Sequence, residues 1–254
     1  MEVLVCVKRV PATGARIVLT EDQQAIETRN LGFTVSPHEE CAIEEAVRLV
    51  EAHGGSSTVL TLGPAEADEQ LRDALAVGVG RGVLLETDGS DWDPQATARA
   101  ITEAITAQQE DGHNFDVLLF GNESADSGGY QVGVRVAHAL GLPVVTGVKG
   151  LEIEDGVARA RREGPAGAEV YEVDLPAVFT IKEGINLPRY PSLPGRLKAK
   201  KKPLEEGTPE KKEGGVAMVR LENPPEEESE VVILGEGAAA APQVVAILEE
   251  LELI

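Results

Sequence analysis

Apolar positions in the first 140 residues follow two alternating patterns, short unbroken runs and longer stretches with helical spacing. Residues 3–7 read Val-Leu-Val-Cys-Val, with nothing polar before Lys8 and Arg9. A strand covered on both faces has no solvent side, so such a run predicts the first central strand of a parallel sheet. Ser36 followed by Pro37 gives a helix start, with Glu39 and Glu40 in the first turn where the helix dipole favours anions. Cys41, Ile43, Ala46, Val47 and Val50 form the apolar stripe of a helix running to about residue 52, closed by Gly54 and Gly55.

The alternation continues. Strands are predicted at 58–62, 83–86 and 117–120, and helices at 65–77, 94–109 and about 128–140. Repeated strand and helix of these lengths imply right-handed βαβ units, an α/β fold with a doubly wound, mostly parallel sheet. Functional loops then belong beyond the carboxyl ends of the strands. After Leu140 the pattern changes: residues 151–159 read as a hairpin around Asp155 and Gly156, an antiparallel edge leading to a strand at Ala177. Residues 203–215, rich in Pro, Glu, Lys and Gly, read as a linker. Residues 216–221 and 230–234 have strand composition, and 242–253 form an amphipathic helix with Val244, Ile247, Leu248 and Leu251 on one face. The reading is one domain over 1–202 and a C-terminal arm over 216–254 that needs a surface to cover it.

A buried strand at Val178, Phe179 and Ile181 runs directly into a proline-rich, basic segment. Pro188, Pro191 and Pro194 fix φ and remove backbone donors, which ends the strand and stiffens the segment beyond it. Leu193, between two of these prolines, is expected to stand exposed on a stiff loop, with Lys198 and Lys200 to Lys202 after it. A surface crossover with a solvated lysine run has the same composition.

The chain of 254 residues carries 44 acidic and 23 basic side chains, a formal net charge of -21. That balance argues against non-specific nucleic-acid binding and against anionic membrane surfaces, both of which need a positive footprint. Cys6 and Cys41 lack cluster spacing, and no signal-peptide core or long apolar run is seen, which predicts a soluble, cytoplasmic protein.

Residues 121–133, Gly-Asn-Glu-Ser-Ala-Asp-Ser-Gly-Gly-Tyr-Gln-Val-Gly, lie between a predicted strand and helix, where α/β sheets bind nucleotides and where helix N–H groups favour a phosphate. The spacing matches neither dinucleotide nor P-loop fingerprints, and an ordinary glycine-containing turn meets it equally. His38, His53, His113 and His138 lack metal-site spacing and read as structural or surface residues. Glu39, Glu40, Glu44 and Glu45 read as dipole compensation and solvation rather than acid–base catalysis. No nucleophile or metalloprotease motif is present, so no catalytic residue and no metal ligand is assigned.

The order Leu175-Pro-Ala-Val, Asn186-Leu-Pro-Arg-Tyr-Pro-Ser-Leu-Pro194 and Lys198-Ala-Lys-Lys-Lys202 closely resembles the signature of the electron transfer flavoprotein β subunit, and the likeness extends from Val3 to about Lys202. The resemblance implies a Rossmann-like sheet of the adenine nucleotide α-hydrolase type. It further implies an electron-carrier subunit without catalysis of its own, in a heterodimer whose α subunit holds most of a shared FAD. Gly121, Asp126, Gln131 and Gly133 match a family loop that wraps AMP. By position the AMP contacts fall on Cys6, on Ser36, Pro37, His38 and Glu39, and on Leu62. In the loop they fall on Gly121, Asn122, Glu123, Ser124, Ala125, Asp126, Ser127, Gly128, Gly129, Tyr130, Gln131 and Val132. A second FAD in place of AMP, as in bifurcating members, stays open.

Leu193 corresponds to the anchor of a recognition loop, about 184–202, that docks flavin-containing dehydrogenases, with Tyr190, Pro191, Ser192 and Pro194 around it. Glu163 corresponds to a residue at the subunit interface, although unaided it reads as part of a solvated charge cluster at a hairpin end. The loop at Pro11, Ala12 and Thr13 lacks the aromatic that the family often places near the flavin. In the family the C-terminal segment packs on the other subunit. A rival reading is an ATP-binding regulatory module resembling the universal stress proteins, which explains the 121–133 loop but not 191–202. An adenylating enzyme on the same scaffold ranks below both, since no phosphate loop with a catalytic Lys or His is evident.

Overall fold

The computed structural model describes residues 1–12, 14–212, 214–225 and 231–254. They form two compact units, 1–219 and 220–254. In the first, β1 (Glu2–Val7) is followed by β2 (Val10–Pro11), β3 (Phe33–Thr34), α1 (Pro37–His53), β4 (Ser56–Gly63) and α2 (Asp68–Val77). Then come β5 (Arg81–Glu86), α3 (Pro94–Glu110), β6 (Val117–Gly121), α4 (Val132–Leu140), β7 (Val144–Glu154) and β8 (Val157–Gly164). The unit ends with β9 (Gly167–Asp174), β10 (Ala177–Ile181), α5 (Leu193–Ala199) and β11 (Leu204–Gly207). The second unit contains α6 (Ala241–Glu250).

Nine strands form one sheet in the order β11-β5-β4-β1-β6-β10-β7-β8-β9, with only β8 and β9 antiparallel to their neighbours. The predicted mostly parallel α/β sheet with an antiparallel edge is therefore present. Along β1, Val3, Val5 and Val7 join α1 and α2 in one core, whereas Leu4 and Cys6 join α3 and α4 in the other. Helices on both faces are the reason the strand shows no polar alternation. Chain order reverses between β1 and β6, which opens a crevice beyond the carboxyl ends of those two strands.

The Asp155–Gly156 turn has φ of 48° and 81°, the left-handed pair a two-residue hairpin needs, and it joins β7 to β8 as expected. Other expectations are corrected. Helix α4 begins at Val132 rather than near 128, because Gly128 and Tyr130 both take φ of 54° and keep the chain in a loop. Strand β9 escapes sequence reading because neither of its faces is buried, leaving no period-2 contrast.

Leu193 is exposed, but it opens a helix instead of sitting in a loop, since the Ser192 side chain caps α5 and Pro194 occupies its first turn. The expected linker at 203–215 begins with an edge strand: β11 pairs parallel to β5, and Leu204 fills the space left by Gly82. No strand forms at 216–221 or 231–234 among the described residues, while Glu230, like Thr13 in the Pro11 loop, lies outside them. The C-terminal helix ends at Glu250, and it buries none of its residues.

Candidate functional site

Strand β1 delivers Cys6 and Lys8 to the crevice, and β6 delivers Gly121 beside them. Helix α1 points its N-terminus at the same place. Its cap is reciprocal: Glu39 N–H donates to Ser36 Oγ at 3.4 Å, and Ser36 N–H donates to Glu39 Oε2 at 2.9 Å. Glu39 Oε1 also accepts from Lys8 N–H at 2.8 Å, so one buried carboxylate ties the end of β1 to the start of α1. Gly121 is required alongside, since a Cβ there would stand 2.6 Å from Glu39 Cγ.

The 121–132 loop folds back over this floor. Asn122 Oδ1 accepts from Gly147 N–H at 3.0 Å and Thr180 Oγ1 at 2.9 Å, locking β6 to β7 and β10. Ser36 Oγ reaches the Glu123 carbonyl at 3.2 Å. Lys8 Nζ meets Asp126 Oδ2 at 2.6 Å. Desolvation alone would raise the Asp126 carboxyl, but Lys8, Ser124 and the Ser127 N–H outweigh it and hold it below its ordinary value.

These contacts enclose a cleft of about 390 Å³ lined by Ser36, Pro37, His38, Glu123, Ser124, Ala125, Asp126, Ser127 and Gly128. The two sequence-distant segments assigned to nucleotide binding therefore meet around one space. Cys6 and Glu39 lie buried behind it, and burial, with Glu39 adding to it, pushes the Cys6 thiol far up, so no thiolate faces the site. Leu62, Asn122 and residues 129–132 belong to the same end of the sheet without lining the cleft.

Free backbone N–H groups and hydroxyls at this end of the sheet are groups that can bind a polar, anionic ligand. The N-terminus of α4 carries no side-chain cap, because Gln131 Oε1 is engaged by Arg135 Nε and Nη2 at 3.1 and 2.9 Å. Its first-turn N–H groups and dipole are thus left for an anion. The Ser124 and Ser127 hydroxyls, 2.9 Å apart, offer further donors and acceptors at the cleft, whereas the Ser36 hydroxyl is buried and used by Glu39 and the Glu123 carbonyl.

Sequence reasoning passed over the side chains that fix the segment after β10. Arg189 Nε and Nη2 donate to Glu44 at 2.8 and 3.0 Å, while Nη1 and Nη2 reach Glu51 at 2.7 and 2.9 Å. Its hydrogen bonds to Glu51 and Glu44 raise the guanidinium above its ordinary value. Asn186 Nδ2 donates to Cys41 O at 3.0 Å and Glu45 Oε2 at 2.8 Å. Glu39, Glu44 and Glu45 are thus buried structural acceptors rather than the solvated face expected of them. His38, read as structural or surface, links two loops: its Nε2 lies 3.2 Å from Glu123 Oε1, and its Nδ1 accepts from Glu183 N–H at 2.7 Å.

Beyond this clamp Tyr190 and Leu193 are 94% and 72% exposed. Pro191, Ser192 and Pro194 set the backbone around them, with Ser192 Oγ accepting from Gly195 N–H at 3.1 Å. Glu163 sits apart, near the end of β8, between Lys149 at 3.1 Å and Lys182 at 3.8 Å. No cluster of three or more metal-ligating side chains occurs among the described residues, and no helix there is long and apolar enough to cross a membrane.

Residues 24–212 match the family described as electron transfer flavoprotein domain. A protein of Bacillus subtilis named electron transfer flavoprotein subunit beta is 35% identical over 98% of this chain and 97% of its own length. One of the same name from Syntrophomonas wolfei is 37% identical over 89% of this chain and 86% of its own. The mitochondrial subunit beta of Arabidopsis thaliana is 33% identical over 92% and 93%. With a crevice at the sheet's switch point and relatives of this kind along nearly its whole length, the chain belongs to the electron transfer flavoprotein family, as a β subunit.

Proposed function

We propose that this chain is the rigid platform of a cytoplasmic heterodimeric electron carrier, holding AMP as a structural ligand and presenting a docking segment to flavin-containing dehydrogenases. The observation that carries the reading is the cleft that residues 36–38 and 123–128 form together, in the loop that leads on to the uncapped start of α4. Its volume of about 390 Å³ falls at the lower end of ligand pockets and suits a mononucleotide better than a second FAD. Ser124 and Ser127 would meet the sugar and base, and the first turn of α4 the phosphate.

The shared FAD, held mainly by the α subunit, supplies the redox chemistry when bound. This chain contributes geometry. Leu193 and Tyr190 project from a segment clamped to α1, so a dehydrogenase meets a small apolar anchor on a stiff support. Interfaces of that kind are small, and a few residues dominate them, which suits transient docking to several donors. Glu163 and the apolar face of α6, with Val244 and Ile247 exposed on it and Leu251 exposed just beyond it, face the α subunit in this reading.

AMP binding to the native state alone stabilises it by mass action. At a hundredfold excess over Kd the nucleotide-free heterodimer should gain about 2.7 kcal/mol, a rise in Tm of roughly 5–10 °C. An unchanged melting temperature on adding AMP would overturn the structural role.

A further inference from the structure

Among the described residues, the His38 side chain both lines the cleft and bonds the start of the docking segment. Its ring is 15% exposed and held at both nitrogens. A backbone N–H can only donate, so the 2.7 Å contact from Glu183 makes Nδ1 the acceptor and leaves the ring proton on Nε2, facing Glu123 Oε1 at 3.2 Å. Glu183 lies two residues beyond β10, and the chain from there to Arg189 is pinned to α1 through Asn186 and Arg189. Both ends of the path rest on α1: its first turn forms the cleft wall and its middle carries the clamp.

We propose that His38 is a positioning residue through which occupancy of the cleft orders the docking segment. The inference rests on the nucleotide reading above. A ligand packed against Pro37, His38 and Glu123 holds the imidazole and the carboxylate in place. The entropy of fixing Nδ1 against Glu183 is then already spent, and the 183–189 backbone closes more firmly on α1. By linkage, a dehydrogenase that selects the ordered segment must tighten nucleotide binding by the same factor.

The test is amide hydrogen exchange on the intact heterodimer, nucleotide-free and with AMP added, with AMP binding measured calorimetrically on the same samples. In the native protein AMP should slow exchange across residues 183–189 by about 3- to 10-fold, the factor one hydrogen bond carries. His38→Phe keeps the ring's bulk without an acceptor and also alters the cleft wall, so it should bind AMP more weakly, and with its cleft saturated as judged by the calorimetry the segment should no longer respond. His38→Asn retains an acceptor in place of Nδ1 and should recover most of the response. AMP binding without any change at 183–189 in the native protein, or an equal change in His38→Phe, would overturn the coupling alone. Failure of the native protein to bind AMP at all would overturn the nucleotide reading and the coupling with it.

Discussion

Glu39 shows how one residue can serve several elements. Its carboxyl is 5% exposed and is raised by burial to about 7, against hydrogen bonds from Ser36 and Lys8 that favour the anion. The native state therefore holds this proton more tightly than the unfolded chain, whose carboxyl titrates near 4.5. The stabilisation is complete below the unfolded value and is lost as pH rises through about 7. Relative to Glu39→Gln, the native protein should lose up to about 3 kcal/mol between pH ~4.5 and pH ~7.5, measured by urea unfolding of both forms. A pH-independent difference between them would contradict a raised carboxyl. Ser36, Pro37 and the acidic first turn were legible as a helix start because capping is local in sequence. The burial of Glu39 was not, because it depends on Lys8 and Gly121 arriving from other strands.

At the scale of elements, α1 is the shared support. Its N-terminus forms the cleft, and Glu44, Glu45 and Glu51 hold the segment that comes after β10. Arg189→Ala leaves the buried Glu44 without its cation. It should cost about 1–3 kcal/mol, between the values for exposed and for fully buried pairs, because Arg189 is itself 36% exposed. It should also slow electron delivery from a dehydrogenase by loosening the docking segment. Leu193→Ala should slow delivery with unchanged stability and FAD content, because the side chain is exposed. Stopped-flow reduction by a dehydrogenase separates the two, and an unaltered rate in Leu193→Ala would sink the docking role. The strands of the parallel sheet were readable as apolar runs. By contrast β9 and β11 were not, one because both faces are open and the other because Leu204 and its Gly82 pocket lie far apart along the chain.

The whole molecule combines a mostly parallel sheet and a crevice at its switch point with exposed large apolar residues, among them Tyr190 and Leu193 of the docking segment. A net charge of -21 favours solubility and steering towards basic partner surfaces. Family membership was legible from motif order, yet the volume of the cleft and the uncapped start of α4 needed the folded chain. Co-expression with its α subunit, purification of the complex, and acid release with chromatography of the bound nucleotides test the central claim most directly. About one FAD and one AMP per heterodimer is the predicted result. Two FAD and no AMP, or a homodimer of this chain carrying ATP, would contradict it.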